Sequence, residues 1–485
     1  MAVGTEGELA GLIGNDTVRI DAGGRRVIPG LIDSHIHMVR AGLRWAKDVR
    51  WEGLESLEEA LGRLTSAALE SPAGAWVVVL GGWHPHQFTE KRVPTLTELD
   101  KAVPDHPVYI QRNYQEAFLN GGGLRTAGLG DPATGRVAGM GALQACRALL
   151  DQPSPEQQIE GTRSLLAELG RLGLTGVIDA AGFGVTSSMY EPIEQLWRSG
   201  ALGLRVRLLL GPSQRGREAA DIRSWIEGAD PGYGDGWLKY LGFGEVVLFD
   251  AHDGEGVVSV DVRDQADRLR EMSRVIIEAG WPIHIHAILD SSVDMVLDAW
   301  SPLIGEYGPG HRLTITHADQ ISGDNLRRVR ELGIGIPVQH GMAYRGLDSL
   351  PTWGAPRVAS SPPIGEMLGL GIPMGAGTDA TVVADYNPWR CLCWLVSGEA
   401  VDGSPVRSEA HRLNRAEALS LYTSGSAWFS SEEDQRGVIK AGYLADLAIL
   451  SDDYFSVSER SIPSVSSLLT MVGGRIVHRS PQFGG

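Results

Sequence analysis

The amino-acid sequence predicts an α/β chain whose centre is a (β/α)8 TIM barrel, with a small β-sandwich formed from the amino- and carboxy-terminal segments. Three observations carry that prediction. Short apolar runs rich in β-branched residues recur along the chain, amphipathic stretches fill the intervals, and glycine-turned short strands follow after about residue 430. Strand–helix alternation with eight strand candidates is the pattern of a parallel sheet closed on itself.

The first four strands are read as VIPGLID (27–33), LTGVIDA (174–180), LRVRLLL (204–210) and WLKYLGF (237–243). The next four are WPIHIHA (281–287), LTITHAD (313–319), IGIPVQH (334–340) and IPMGAGTD (372–379). Helical patterns at 156–173 and 262–280 lie between them, and each ends in a glycine suited to a carboxy-terminal cap. In the second, Ala266, Leu269, Met272, Val275, Ile276 and Ala279 make an apolar stripe of helical period. An open doubly wound sheet is the alternative. It wants G-x-G-x-x-G after its first strand, which here leads into DSHIHM, and no G-x-x-x-x-G-K-[ST] phosphate loop occurs.

The interval from about residue 40 to 170 is too long for one helix. It contains GGWHPHQF (81–88) and a further strand candidate, PVYIQRN (107–113), and reads as an insertion over the barrel mouth. GVIKAGYLADLAIL and LLTMVGGRIVHR read as short strands of the sandwich, joined by strands from residues 1–26. The organisation is therefore 1–26 as a reduced amino-terminal part of the sandwich, 27–430 as the barrel and 431–485 as its carboxy-terminal part. So few residues before the first strand also suit a truncated start.

The 485 residues are 43% hydrophobic and 21% charged, ordinary for a globular enzyme. A net charge of −17 repels phosphate backbones and anionic lipid, which argues against nucleic acid and membrane surfaces as partners. Cys146, Cys391 and Cys393 are too few and odd in number for a disulfide framework. The amino terminus lacks the features of a signal peptide and the chain lacks a long apolar run, so the cytoplasm is the expected compartment.

Active sites of (β/α)8 barrels gather at the carboxyl ends of the strands. His35 and His37 sit just past the first strand, two residues apart and on one face. Lys239 lies in the fourth, His284 and His286 near the end of the fifth, His317 closes the sixth and Asp379 closes the eighth. Imidazole and carboxylate together suit Zn²⁺ and its neighbours. An ion held this way lowers the pKa of water and polarises a carbonyl, and a carboxylate beside it serves as base and then acid, a role that falls to Asp379. Each residue also has a plainer reading: His-x-His as a surface or core pair, Lys239 as a solvated rim lysine, Asp379 as a helix cap. His284 and His286 share a face, and the residues leave open which of them is a ligand.

VIPGLIDSHIH, IHAILD, THADQI and GTDATV, in that order, resemble the amidohydrolase superfamily. Within it they look most like the amidohydrolase-3 or YtcJ-like branch, which includes N-substituted formamide deformylases. GVIKAGYLADLAIL resembles the carboxy-terminal signature, so the resemblance runs from about residue 26 to 478. It implies that His35 and His37 bind one ion, His286 and His317 a second, and that Asp379 contacts metal and shuttles the proton. Lys239 matches a lysine that is carbamylated in many relatives, its carbamate bridging two ions. His286, not His284, aligns with the family's H-A-I-x-D segment, which leaves His284 to tune the site or touch substrate. Two departures stand out: YLGFGE follows Lys239 where relatives usually show K-x-x-x-D-G, and HAILD replaces H-A-I-G-D.

Further substrate-facing candidates are Trp83 and His86 in the insertion and His340 at the end of the seventh strand. Trp353, Trp389 and Trp394 suit either an aromatic pocket or the core. The activity implied is hydrolysis of a C–N bond in a small amide, formamide or cyclic amide, with one or two divalent ions, Zn²⁺ first among them. A metal-dependent decarboxylase, hydratase or isomerase on the same scaffold is the rival, and a non-catalytic binding barrel a third reading. A homodimer is compatible with such an enzyme, and nothing in the sequence requires one.

Overall fold

The computed structural model describes residues 1–254 and 263–484. Six parallel strands form one curled sheet in sequence order: Leu31–Ile36, Leu174–Asp179, Arg205–Leu210, Leu238–Phe243, Ile283–Ala287 and Leu313–His317. A seventh and an eighth, Ile336–Gln339 and Met374–Gly377, pair in parallel as a second sheet. The two sheets meet at both edges. Thr314 bridges to Gly335 beside the seventh strand, and the Asp379 amide donates to the His35 carbonyl at 2.8 Å beside the first.

Seven of the eight apolar runs form strands at or within their expected bounds, and the first gives Leu31–Ile36, which runs past residue 33; apolar side chains buried on both faces suit a parallel sheet. Ile178, Leu209 and Leu241 point inward and pack around Phe429, which plugs the interior. The eighth strand, MGAG, is bare for the same reason: a Cβ on Gly375 would lie 2.7 Å from the Phe429 ring.

The helix Pro155–Arg171 starts where Ser154 caps the Gln157 amide and Pro155 takes the first position, and it buries Leu165, Leu166 and Leu169. The helix expected over 262–280 runs Arg263–Glu278 and buries Leu269, Ile276 and Ile277. Residue 262 lies outside the described residues.

The long interval after the first strand holds its own four-stranded sheet: Val77–Leu80, Val108–Gln111, Glu116–Leu119 and Arg136–Ala138. The Gly82 amide donates to the Val382 carbonyl at 3.1 Å, which lays this sheet against the segment that follows Asp379.

One run divides. VIPGLID contains two strands, and Val27–Pro29 pairs antiparallel with Leu447–Leu450 instead of joining the parallel sheet. Ser467–Val472 and Arg475–Arg479 complete that four-stranded antiparallel sheet. Residues 1–26 supply no strand to it, contrary to expectation. Their one alternating run, VRIDA (18–22), packs Ile20 and Ala22 beside Ile449 and Leu469 without pairing as a strand, and the segment before it forms the short helix Glu6–Leu9. Among the described residues no helix is long and apolar enough to cross a membrane.

Candidate metal centre

At the carboxyl edge of the parallel strands, four imidazoles converge on two carboxylates. Asp379 Oδ1 lies 3.4 Å from His35 Nε2 and 3.2 Å from His37 Nε2. Glu245, two residues past the fourth strand, sits at the centre: its oxygens lie 3.5 Å from His35 Nε2, 3.3 Å from His37 Nε2, 3.2 Å from His286 Nδ1 and 3.6 Å from His317 Nε2. All six residues are buried or nearly so.

The backbone is bent to make this possible. His317 has φ +76° and Asp379 φ +57°, left-handed conformations unusual for residues other than glycine. Such conformations cost on the order of 1–3 kcal/mol each and cluster where side chains must be aimed at a site.

Neighbours fix which ring nitrogens are free. Asp253 Oδ1 lies 2.9 Å from His286 Nε2, and the same carboxylate accepts the amides of Ile288 and Leu289. The Ala181 carbonyl lies 3.0 Å from His37 Nδ1. With protons held on those outer nitrogens, the lone pairs of His286 Nδ1 and His37 Nε2 face the Glu245 and Asp379 carboxylates. Neither ring nitrogen of buried His35 has a hydrogen-bond partner in the protein. A lone pair facing an anion at such distances is repulsive unless a cation lies between them, so the residues fit a divalent metal. Asp253 and the Ala181 carbonyl are the kind of partners that orient metal-ligating imidazoles.

Where no cation lies between them, protons on the imidazoles answer the same carboxylates. Burial opposes charge on His286, yet Asp253 and Glu245 prevail and raise it to about 10. Burial and Arg40 oppose charge on His37, and Glu245 with Asp379 likewise raises it to about 10. Burial would lift Asp379, but His35 and His37 hold it well below the usual carboxylate range, and the surrounding histidines do the same for Glu245. The pocket is built for positive charge between its carboxylates. Three overlapping donor groups, each with its ligand atoms within 4.8 Å of one another, share these residues: His35, His37 and Asp379; His35, Glu245 and His317; and Glu245, His252 and His286.

The structure does not bring Lys239 to this cluster. It is the second residue of its strand, about 15–20 Å of extended chain before Glu245. Its Nζ lies 3.1 Å from Glu432, in a buried group with Arg207 and Arg436. Glu245, and not Lys239, brings a carboxylate among the four imidazoles.

His252, also absent from the sequence reading, stacks on His286 with ring centroids 3.8 Å apart, and burial pushes it down to about 3. His284 points into the interior toward Phe429, 6.2 Å away, and not into a cavity. His340 is buried against Tyr344, with centroids 5.6 Å apart, and neither ring nitrogen has a protein partner.

A cavity of about 580 Å³ opens beside the centre, walled by Trp83, Ile288, Leu289, Tyr344, Trp353 and Val383. Trp83 borders this cavity but is buried, with its Nε1 donating to the Gln111 carbonyl at 2.9 Å. His86 borders a neighbouring cavity instead, with its Nδ1 3.8 Å from Asp402, while His84 faces the main one. Trp389 and Trp394 are core residues.

A curled parallel sheet with histidines and carboxylates gathered at its carboxyl edge defines a metal-dependent hydrolase. The chain belongs to the amidohydrolase family, whose sequence profile (amidohydrolase-3) matches residues 19–478. It is 24% identical to an N-substituted formamide deformylase of Arthrobacter pascens, over 97% of this chain and 92% of the relative. It is 26% identical to YtcJ of Bacillus subtilis (strain 168), over 96% and 91%. In fold it is similar to an uncharacterized metal-dependent hydrolase from Pyrococcus horikoshii OT3, with TM-score 0.66, 22% identity and coverage of 91% and 89%.

Proposed function

We propose that the protein hydrolyses a C–N bond in a small amide, formamide or cyclic amide, using water activated on divalent metal. The observation that carries this reading is Glu245 between His35, His37, His286 and His317, with Asp379 against the first pair. His35, His37 and Asp379 would hold one ion, His286 and His317 a second, and Glu245 both; Zn²⁺ suits this donor set. A divalent ion so held lowers the pKa of water and stabilises negative charge on a carbonyl oxygen. Asp379, kept ionised, takes the proton of the attacking water and returns it to the departing nitrogen. Asp253 and the Ala181 carbonyl keep the imidazoles in the required tautomer.

The complete architecture in this reading is a (β/α)8 barrel over residues 27–430, the two parallel sheets closing on each other. The antiparallel sheet of the chain ends would stand for the small β-sandwich, and residues of the long interval form a wall of the pocket. The relative that is an N-substituted formamide deformylase favours formamides as first substrates to try.

The test is turnover of N-formyl and N-acyl compounds by metal-replete enzyme beside a decarboxylation assay. Asp379→Asn is expected to retain most of the metal, measured by elemental analysis, while kcat falls about 10²- to 10⁴-fold. Unchanged turnover in that variant, or decarboxylation without amide cleavage, would overturn the proposal.

A further inference from the structure

The 580 Å³ cavity holds much more than a formyl group, and its wall carries both apolar surface and charge. It lies beside the metal centre, bordered by residues that adjoin its ligands. Ile288 and Leu289 donate their amides to the carboxylate that orients His286, and Val383 follows Asp379 by one turn of chain. Trp83, Tyr344 and Trp353 give it an aromatic side suited to a ring or a branched chain.

Three arginines line the same space, and two of them are already neutralised. Arg112 is paired with Asp348 and with Glu116, and Arg345 with buried Asp319. Arg357 differs. It is exposed, donates to the Gln320 carbonyl at 3.1 Å, and among the described residues has no carboxylate within ion-pair distance. Its hydrogen bond ties it to the loop just after His317, close to the proposed chemistry. In a chain of net charge −17, a guanidinium at the wall of this cavity with no carboxylate partner among the described residues is a local exception. Planar donors of this kind match a carboxylate.

We propose that the substrate is an amide that carries a carboxylate next to an apolar group, as an N-acylated amino acid does, and that Arg357 receives the carboxylate. This rests on the hydrolytic reading above for the amide and on the cavity alone for the anion.

The test uses metal-replete enzyme and two matched pairs of compounds. Calorimetry compares N-methanesulfonyl-phenylalanine, in both enantiomers, with N-methanesulfonyl-2-phenylethylamine, neither of which offers a scissile amide. One enantiomer of the carboxylate is expected to bind roughly ten- to a hundredfold more tightly than the neutral compound. Arg357→Gln should erase most of that ratio and Arg357→Lys keep part of it. Equal binding in the native enzyme, or a ratio that persists in Arg357→Gln, overturns the anion site. Turnover then compares N-formylphenylalanine with N-formyl-2-phenylethylamine, and the same ratio is expected in kcat/KM. A carboxylate preference in binding with no hydrolysis of either formamide would leave the anion site standing and remove the hydrolytic reading.

Discussion

Glu245 and Asp253 bear on the site in different ways, and substitution separates them. Replacing Glu245 by Gln removes the one carboxylate that faces all four imidazoles, so metal content after dialysis is expected to drop by at least one ion per chain. Asp253→Asn leaves every proposed ligand in place but loosens the tautomer and aim of His286, and metal affinity should weaken about 10- to 100-fold. Lys239→Met, by contrast, should leave metal content unchanged, since its amine is committed to Glu432. Loss of metal in Lys239→Met together with retention in Glu245→Gln would return the bridging role to the lysine. The histidines and Asp379 were legible in the sequence because each lies at the last residues of an apolar run or just beyond it. Lys239 violated that rule, standing at the start of its strand, whereas Glu245 obeys it: like Asp379, it comes two residues after the strand ends. Lys239 draws attention as a strand residue and through the resemblance, while YLGFGE reads only as a departure although its last residue, Glu245, faces the four imidazoles. Asp253 and His252 had no such signal. They sit on a loop whose path only the fold determines.

The parallel strands and their helices depend on one another through polar groups as well as apolar ones. Glu432 is buried among Arg207, Arg436 and Lys239, at 2.7, 3.4 and 3.1 Å, and ties the segment that carries Phe429 to the third and fourth strands. Burial would raise its pKa, but the cations, Arg207 first, hold it far below its ordinary 4.5. Glu432→Gln leaves two buried guanidinium groups undercompensated, and a loss of about 3–5 kcal/mol in unfolding free energy is expected by chemical denaturation. The pH dependence has a definite sign. Because the folded-state pKa is depressed, the stabilisation is fully present above about 4.5 and is lost as pH falls below it, so native and variant stabilities should converge in acid. A gap that stays constant from neutral pH down to pH 3 would assign the effect to packing instead. At this scale the sequence was most readable for the eight parallel strands, six of which carry β-branched residues. The insertion gave up only one of its four strands, Val108–Gln111; all four have three or four residues, too few to show a period.

The two ends of the chain are fastened to the parallel sheet and its helices by shared core residues and by polar contacts such as Thr470 with the Gly170 carbonyl. Gly30 is the hinge between the antiparallel and parallel sheets: its amide donates to the Asp446 carbonyl at 2.9 Å, and a Cβ there would fall 2.1 Å from the Thr175 side chain. Pro29-Gly30 marks the point where VIPGLID divides between two sheets, a turn signal inside an apolar run that otherwise reads as one strand. Beside it, Arg205 of the third parallel strand makes a buried two-pronged ion pair with Asp446, at 2.8 and 3.1 Å, and the Gly473 amide donates to the same carboxylate at 2.7 Å. One carboxylate thus joins a parallel strand to the turn between two antiparallel ones. Asp446→Asn keeps the size of the side chain but removes the charge that answers Arg205, so a loss of about 3 kcal/mol or more is expected. Because the first parallel strand continues directly from Val27–Pro29 through Gly30, the antiparallel sheet is not expected to melt alone in the native chain. Calorimetry should give one transition for the native protein, with the Asp446→Asn transition shifted to lower temperature and metal released as the protein unfolds. Two well-separated transitions in the native protein, with the metal retained through the first, would show that the terminal sheet is an independent unit and that Asp446 does not couple it to the site-bearing sheet.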